Sequence, residues 1–189
     1  MLSVFASCTK TPTGGRMHQL ESFYSTATID GNEVEFSENE NGFVNGYGKA
    51  GVWVQGMGQW FERQSTVYSK NGENIFNIYF MKWVNANPPA KEDIKTIFRK
   101  GNYDFGSSDF NNLVEGVEIR YIDEAGVEWT TRGDQTGSHF EVTDHAKNEA
   151  DSYTPYITEG TFSCKFYNNL GESKTVTNGQ FKGRTVVYY

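Results

Sequence analysis

From Phe23 onward the dominant pattern along the chain is an alternation of apolar and polar positions, broken at short intervals by Gly, Asn and Asp. Period two sends successive side chains to opposite faces of a strand, so the pattern predicts a domain built of β-hairpins. Thr26–Ile29 and Glu33–Phe36 flank Asp30-Gly31-Asn32, a short hairpin. Thr66–Lys70 and Glu73–Trp83 flank Asn71-Gly72, the preferred pair for a two-residue type I′ turn. That turn sets Lys70 opposite Glu73, Tyr68 opposite Ile75 and Val67 opposite Phe76. Phe76, Ile78 and Phe80 then share one face, and Ile75, Tyr79, Met81 and Trp83 the other, so this strand should be central and covered on both sides. Val117–Asp123 and Val127–Arg132 surround Glu124-Ala125-Gly126. A three-residue loop with Gly at its left-handed position pairs Asp123 with Val127, and the same register sets Tyr121 opposite Trp129 and Glu118 opposite Arg132.

The stretch Gly42–Gly58 is glycine-rich and weakly patterned, which predicts one irregular or bulged strand around Val52-Trp53-Val54. Pro88-Pro89 ends the strand before it, and Ala90–Lys100 predicts a single short helix. In that helix Ile94, Ile97 and Phe98 fall on one side, Glu92 and Asp93 in the first turn, Arg99 and Lys100 in the last, with Gly101 placed to cap it. Ser138–Thr143, Ile157–Tyr167 and Ser173–Tyr188, the last interrupted at Asn178-Gly179, bring the expected total to roughly ten strands. The expected fold is therefore all-β, an antiparallel β-sandwich or alternatively a partly closed lipocalin-like barrel, with one short helix.

Composition adds what must fill that fold. The 189 residues include 14 Phe, 11 Tyr and 4 Trp but few large aliphatics, so the core should be built from rings. The length suits one domain, read as 23–189, preceded by a segment 1–22 of different character. A balance of 17 basic against 24 acidic residues, net −7, argues against nucleic acid as a partner. The densest basic stretch, Lys91–Lys100, itself contains Glu92 and Asp93. No apolar run is long enough for a membrane-spanning helix.

The first segment runs Met1-Leu2-Ser3-Val4-Phe5, then small Ala6-Ser7 directly before Cys8, followed by polar Thr9-Lys10-Thr11-Pro12-Thr13-Gly14-Gly15. These residues resemble a bacterial lipobox, with Phe5 where Leu or Val is usual. The resemblance implies cleavage before Cys8, diacylglycerol on its sulfur, and a tether that holds the domain off a membrane. A lipidated Cys8 leaves Cys164 no disulfide partner; alternating with Phe162 and Phe166, Cys164 reads as a small inward hydrophobe. Ala27-Thr28-Ile29-Asp30-Gly31 after such a tether, together with Glu159-Gly160-Thr161-Phe162-Ser163 and Thr177-Asn178-Gly179-Gln180-Phe181, resembles the small envelope lipoproteins of the Bacteroidetes. Those carry mostly β domains of unknown function. The resemblance implies a membrane-anchored place in the cell envelope, facing the periplasm or the exterior, and brings no catalytic residues.

Candidate chemistry is sparse. His18, His139 and His145 lack the spacing of a zinc site, and Ser138, His139 and Asp144 lack the strand–turn–helix elbow that holds a nucleophile. Asp104, Asp109, Asp123 and Glu124 read as turn residues without the regular spacing of a calcium loop. No metal, cofactor or catalytic residue is expected, and the reading is a non-enzymatic binding or interaction module. Trp53 and Trp60 sit in a Gly- and Gln-rich stretch with little apolar company, which makes them the candidate ligand-binding residues, with glycans as the ligand class. The alternatives are an accessory subunit of an envelope complex that recognises protein through a sheet edge, and a hydrolase whose site is unrecognised.

Overall fold

The computed structural model describes residues 23–38, 43–55, 57–69, 71, 74–84, 96–148 and 156–186. Cys8 and the rest of segment 1–22 lie outside the described residues, as do Lys70, Gly72, Glu73 and 85–95. The strands are β1 (Tyr24–Ile29), β2 (Asn32–Ser37), β3 (Val44–Val54), β4 (Gly58–Tyr68), β5 (Asn74–Val84), β6 (Gly101–Asn102), β7 (Ser107–Asp109), β8 (Asn112–Val114), β9 (Gly116–Ile122), β10 (Glu128–Thr130), β11 (His139–Lys147), β12 (Tyr156–Tyr167) and β13 (Ser173–Thr185). All ladders are antiparallel, and the fold is all-β as expected. It takes the partly closed form rather than that of two separate sheets. One continuous sheet runs β2-β1-β13-β12-β10-β9-β5-β4-β3, with β11 and β6 branching from β12, and curls into a half-barrel.

The turns set the registers. Asp30 and Gly31, both at positive φ, form a two-residue turn that pairs Ile29 with Asn32, one residue tighter than the spacing suggested. Val67 faces Phe76 as expected, but a bulge at the turn end sets Tyr68 opposite Asn74 instead of Ile75. Gly126, also at positive φ, closes the loop in which Asp123 and Val127 pair, and Tyr121 faces Trp129 as predicted. Asn178-Gly179 bulges β13 without breaking it.

Two expectations fail. β3 is a full 11-residue strand in unbroken register with β4, because backbone pairing along that neighbour needs no apolar periodicity in β3 itself. No helix occurs among the described residues, and 96–100 passes through turns. Ile97 and Phe98 are buried all the same, Phe98 with its ring 5.1 Å from that of Phe80. Their apolar spacing reported burial rather than helical winding; 90–95 lie outside the described residues.

The core fills the concave side, where Phe76, Ile78, Phe80, Val117, Ile119, Phe140, Phe162, Phe166 and Phe181 are all buried. Rings also lie over glycines on paired strands: Phe181 faces Gly160 and Phe162 faces Gly179. A methyl group on either glycine would overlap the facing ring, so the side-chain-free backbone lets the ring lie over it. The curl brings the end of β13 over β3 and β4. There Arg184 donates its backbone N–H to Asn45 Oδ1 (3.0 Å) and Nη1 to the Asn45 carbonyl (2.7 Å), and grips Glu38 with both Nη atoms (2.6 and 3.0 Å).

Candidate functional site

The outer face of the sheet is expected to meet water, yet part of it is covered. The β7–β8 hairpin belongs to neither end of the main sheet and lies across β9 and β5. On one side Leu113 packs against Trp60, Tyr79 and Met81, a small apolar cluster on this face. On the other side stands Glu118 of β9, fully buried. Its Oε2 accepts the Ser108 N–H (2.6 Å), and its Oε1 accepts Arg120 Nε (2.6 Å) and Arg132 Nη2 (3.0 Å). Both guanidiniums also donate to Ser108 Oγ, at 2.5 and 3.3 Å, and Arg120 lies 4.6 Å over the Tyr79 ring. Burial alone would raise the Glu118 pKa; the Ser108 amide and the two arginines outweigh it and hold the carboxyl below its ordinary value. Burial pushes the Tyr79 phenol up to about 12, against the pull of Arg120. The Glu118–Arg132 pairing is the one predicted from the hairpin loop.

Between this hairpin and the loop 131–138 opens a groove of about 750 Å³. Asp104 and Phe105 line its approach, Asp109 and Asn112 the hairpin turn, and Asp134 and Thr136 the opposite wall. Arg132 stands between this groove and a second cleft of about 540 Å³ near Glu128 and Tyr167. The opposite wall is held by its own hydrogen bonds. The Gln135 side chain donates to the Thr131 (2.9 Å) and Lys165 (2.7 Å) carbonyls and accepts from the Lys165 N–H (3.0 Å) and Ser138 Oγ (2.8 Å). Tyr167 donates its hydroxyl to the Asp134 carbonyl (2.8 Å). Asp134 Oδ1 accepts from both the hydroxyl (2.7 Å) and the N–H (3.0 Å) of Thr136, and with Lys165 at 3.4 Å these lower its pKa to about 2.

The two tryptophans singled out from sequence do not come together. Trp53 is half exposed on β3. Trp60 is 3% exposed, its ring 5.1 Å from Trp83, so its expected accessibility is corrected. Val52 and Trp83 flank it across the strands, and Leu113 covers it from a hairpin some fifty residues away, roughly as the alternating pattern of a twice-covered sheet allows. Trp53 falls on the opposite face, paired with Gln59. Cys8 lies outside the described residues. Sequence reasoning missed the groove because its walls come from segments about thirty residues apart, whose only local sign was turn-forming Asp and Asn. Among the described residues no group of three or more His, Cys, Asp or Glu side chains could hold a metal, and no helix is long and apolar enough to cross a membrane.

Asp123 is structural. It accepts from Trp129 Nε1 (2.8 Å), Lys174 Nζ (3.1 Å) and the Ala125 and Val127 amides (3.0 Å each). His145 is also structural, stacked between Phe98 (5.1 Å) and Tyr156 (4.8 Å), with Nδ1 2.8 Å from Thr158 Oγ1. Burial lowers its pKa, Asp144 opposes that shift and Lys100 adds to it. A depressed imidazole pKa means that the folded chain binds fewer protons than the unfolded one, so stability should fall as pH drops below about 6.5. His145→Phe, which preserves the stack without the charge, should flatten the slope of urea midpoints measured between neutral pH and pH about 5. A slope as steep as that of the wild type would show that His145 does not carry it.

Comparison of the chain with protein-family models, with curated proteins and with solved structures finds no match in any of the three.

Proposed function

We propose that this chain is a non-enzymatic binding module of the cell envelope, tethered through a lipid on Cys8, that takes a glycan in the groove between the β7–β8 hairpin and loop 131–138. The groove itself carries this reading. Its 750 Å³ falls within the roughly 300–1,000 Å³ of small-ligand sites. Carboxylate, amide and hydroxyl groups on Asp104, Asn112, Asp134 and Thr136 match the donors and acceptors of a sugar, and Phe105 adds an apolar surface. A wall already fixed by Gln135 and Tyr167 loses little freedom when a ligand arrives. Asp134, kept ionised by its hydrogen bonds from Thr136 and by Lys165, can accept sugar hydroxyls. The lipobox-like residues around Cys8 support the envelope location. The glycan reading moves from Trp53 and Trp60 to this groove. An accessory subunit acting through a sheet edge is the second reading, and β3, which ends the sheet with Tyr47 and Trp53 exposed, favours it.

Thermal unfolding against a panel of oligosaccharides tests the groove. A ligand at a hundred times its dissociation constant stabilises the fold by about 2.7 kcal/mol, or roughly 5–10 °C for a chain of this size. Asp104→Ala with Asn112→Ala, both exposed, should abolish that shift without lowering the ligand-free melting temperature. A shift that survives the double variant would move the site elsewhere, and a flat panel would remove the glycan reading.

A further inference from the structure

We infer that β3 is a self-association edge, through which two copies of this chain pair antiparallel about a two-fold axis at Ala50 and join their sheets into one. The inference is independent of the groove. β3 closes the strand order of the sheet, and among the described residues β4 is the only strand in ladder with it, β13 reaching only its start, where Arg184 bonds Asn45. Natural sheet edges are usually short, bulged or charged, because an unpaired row of backbone N–H and C=O groups is a template for another chain. The opposite edge follows that rule: β2 has six residues and exposes Glu33 and Glu35. β3 breaks it. It has eleven residues, no bulge, no proline and one charge, Lys49. With its turn it also carries Val44, Tyr47, Trp53 and Met57, four of the seven large hydrophobic side chains that are exposed among the described residues.

The residue order of β3 fits a second copy of itself. In an antiparallel pair centred on Ala50, Gly51 meets Lys49 of the second copy, Val52 meets Gly48, Trp53 meets Tyr47 and Val54 meets Gly46. Every glycine of the strand faces a larger side chain, and Trp53 and Tyr47 form the same aromatic cross-strand pair twice on one face. Neighbouring registers lose this fit. Centring on Lys49 opposes two ammonium groups and sets Trp53 against Asn45, which Arg184 already occupies. Centring on Gly51 puts glycine against glycine at the axis. In the Ala50 register the two Lys49 side chains are diagonal neighbours about 7–8 Å apart instead of opposed.

Charge favours the same strand. Two copies of net charge −7 repel, and β3 itself adds no carboxylate to that repulsion. One added strand pair is small beside the roughly 1,200–2,000 Å² of a stable complex, so the dimer should depend on concentration.

The test is sedimentation of the full chain carrying Cys8→Ser, from micromolar to millimolar concentration. The average mass should rise from one chain toward two. Ala50→Lys places two ammonium groups face to face at the axis and should raise the midpoint concentration at least tenfold, while circular dichroism and melting temperature stay unchanged because Ala50 is exposed. Ala50→Cys should be joined to its mate by a short bis-maleimide, and Glu33→Cys on the opposite edge should not. A chain that stays single to the highest concentration overturns the inference and leaves the edge to a strand of another protein. So does a dimer that is indifferent to Ala50→Lys, or one whose Ala50→Cys does not crosslink.

Discussion

Glu118→Ala is expected to cost the fold about 3 kcal/mol, the low end of the roughly 3–5 kcal/mol measured when one partner of a buried ion pair is removed. The lower end applies because Arg120 and Arg132 keep a quarter to a third of their side chains in water, at 25% and 31% exposure, so the stranded cations are partly hydrated. Three groups lose the carboxylate at once: both guanidiniums, which keep only Ser108 Oγ of this network, and the Ser108 amide. A denaturant titration should show the loss as a lower midpoint, and a melting scan as a drop of roughly 6–12 °C. The damage should also be local. Amide exchange at Ser108 and through 107–114 should speed up before the rest of the sheet loosens, since this network ties the hairpin to β9. The pH dependence has a definite sign. The folded Glu118 pKa lies below its ordinary value, so its contribution is complete above the unfolded carboxylate pKa of about 4.3 and fades as pH falls through the folded value. Wild type and Glu118→Gln should therefore converge in stability at strongly acid pH. A constant gap between them down to acid pH would mean that the carboxylate charge is not what stabilises the hairpin.

The second large effect is expected at Phe140→Ala, about 4 kcal/mol, within the roughly 3–5 kcal/mol of Phe truncations in cores. Phe140 has no exposed surface, and its ring lies 5.4 Å from Phe181, 5.8 Å from Phe80, 6.1 Å from Tyr103 and 6.3 Å from both Phe105 and Phe162. Five rigid rings cannot collapse into the space one leaves, so the cavity term should be nearly complete. Phe140→Leu, which refills most of the volume, should cost less than half as much by calorimetry. Leu170→Ala, at a position 78% exposed, should change stability by less than about 0.5 kcal/mol. Equal losses for Phe140→Ala and Phe140→Leu would mean that the loss does not scale with the volume removed.

Turn chemistry made much of this fold legible in the chain. Asp30-Gly31-Asn32, Asn71-Gly72 and Glu124-Ala125-Gly126 each mark a chain reversal in the sequence, and the last two anticipate pairings found in the sheet, Val67 against Phe76, Tyr121 against Trp129 and Glu118 against Arg132, while Ile29 pairs with Asn32 one residue tighter and Tyr68 meets Asn74. The doubly apolar β5 announced its own central place. What stayed hidden was set by distant neighbours. β3 owes its regularity to β4, and its own glycines spoke against it. Ile97 and Phe98 have helical spacing, but what they satisfy is contact with the sheet. Trp60 lacks apolar neighbours in sequence and finds them in Leu113, Tyr79 and Met81. The groove was illegible for the same reason: Asp104, Asp109, Asn112, Asp134 and Thr136 read as ordinary turn-forming residues until the fold brings the β7–β8 hairpin and loop 131–138 face to face.

The rings that lie over glycines constrain how the chain can drift as mutations accumulate. At Gly179 the atoms nearest to an added side chain all belong to the Phe162 ring, so Gly179→Ala becomes easier once position 162 has shrunk, and the two sites can move as a couple. At Gly160 the obstacle includes the Glu141 carbonyl oxygen as well as Phe181, and no substitution elsewhere moves a backbone atom out of the way so easily. Descendants of this chain should therefore hold glycine at 160 almost without exception, while 162 and 179 change together, trading a ring over nothing for a smaller side chain beside a methyl.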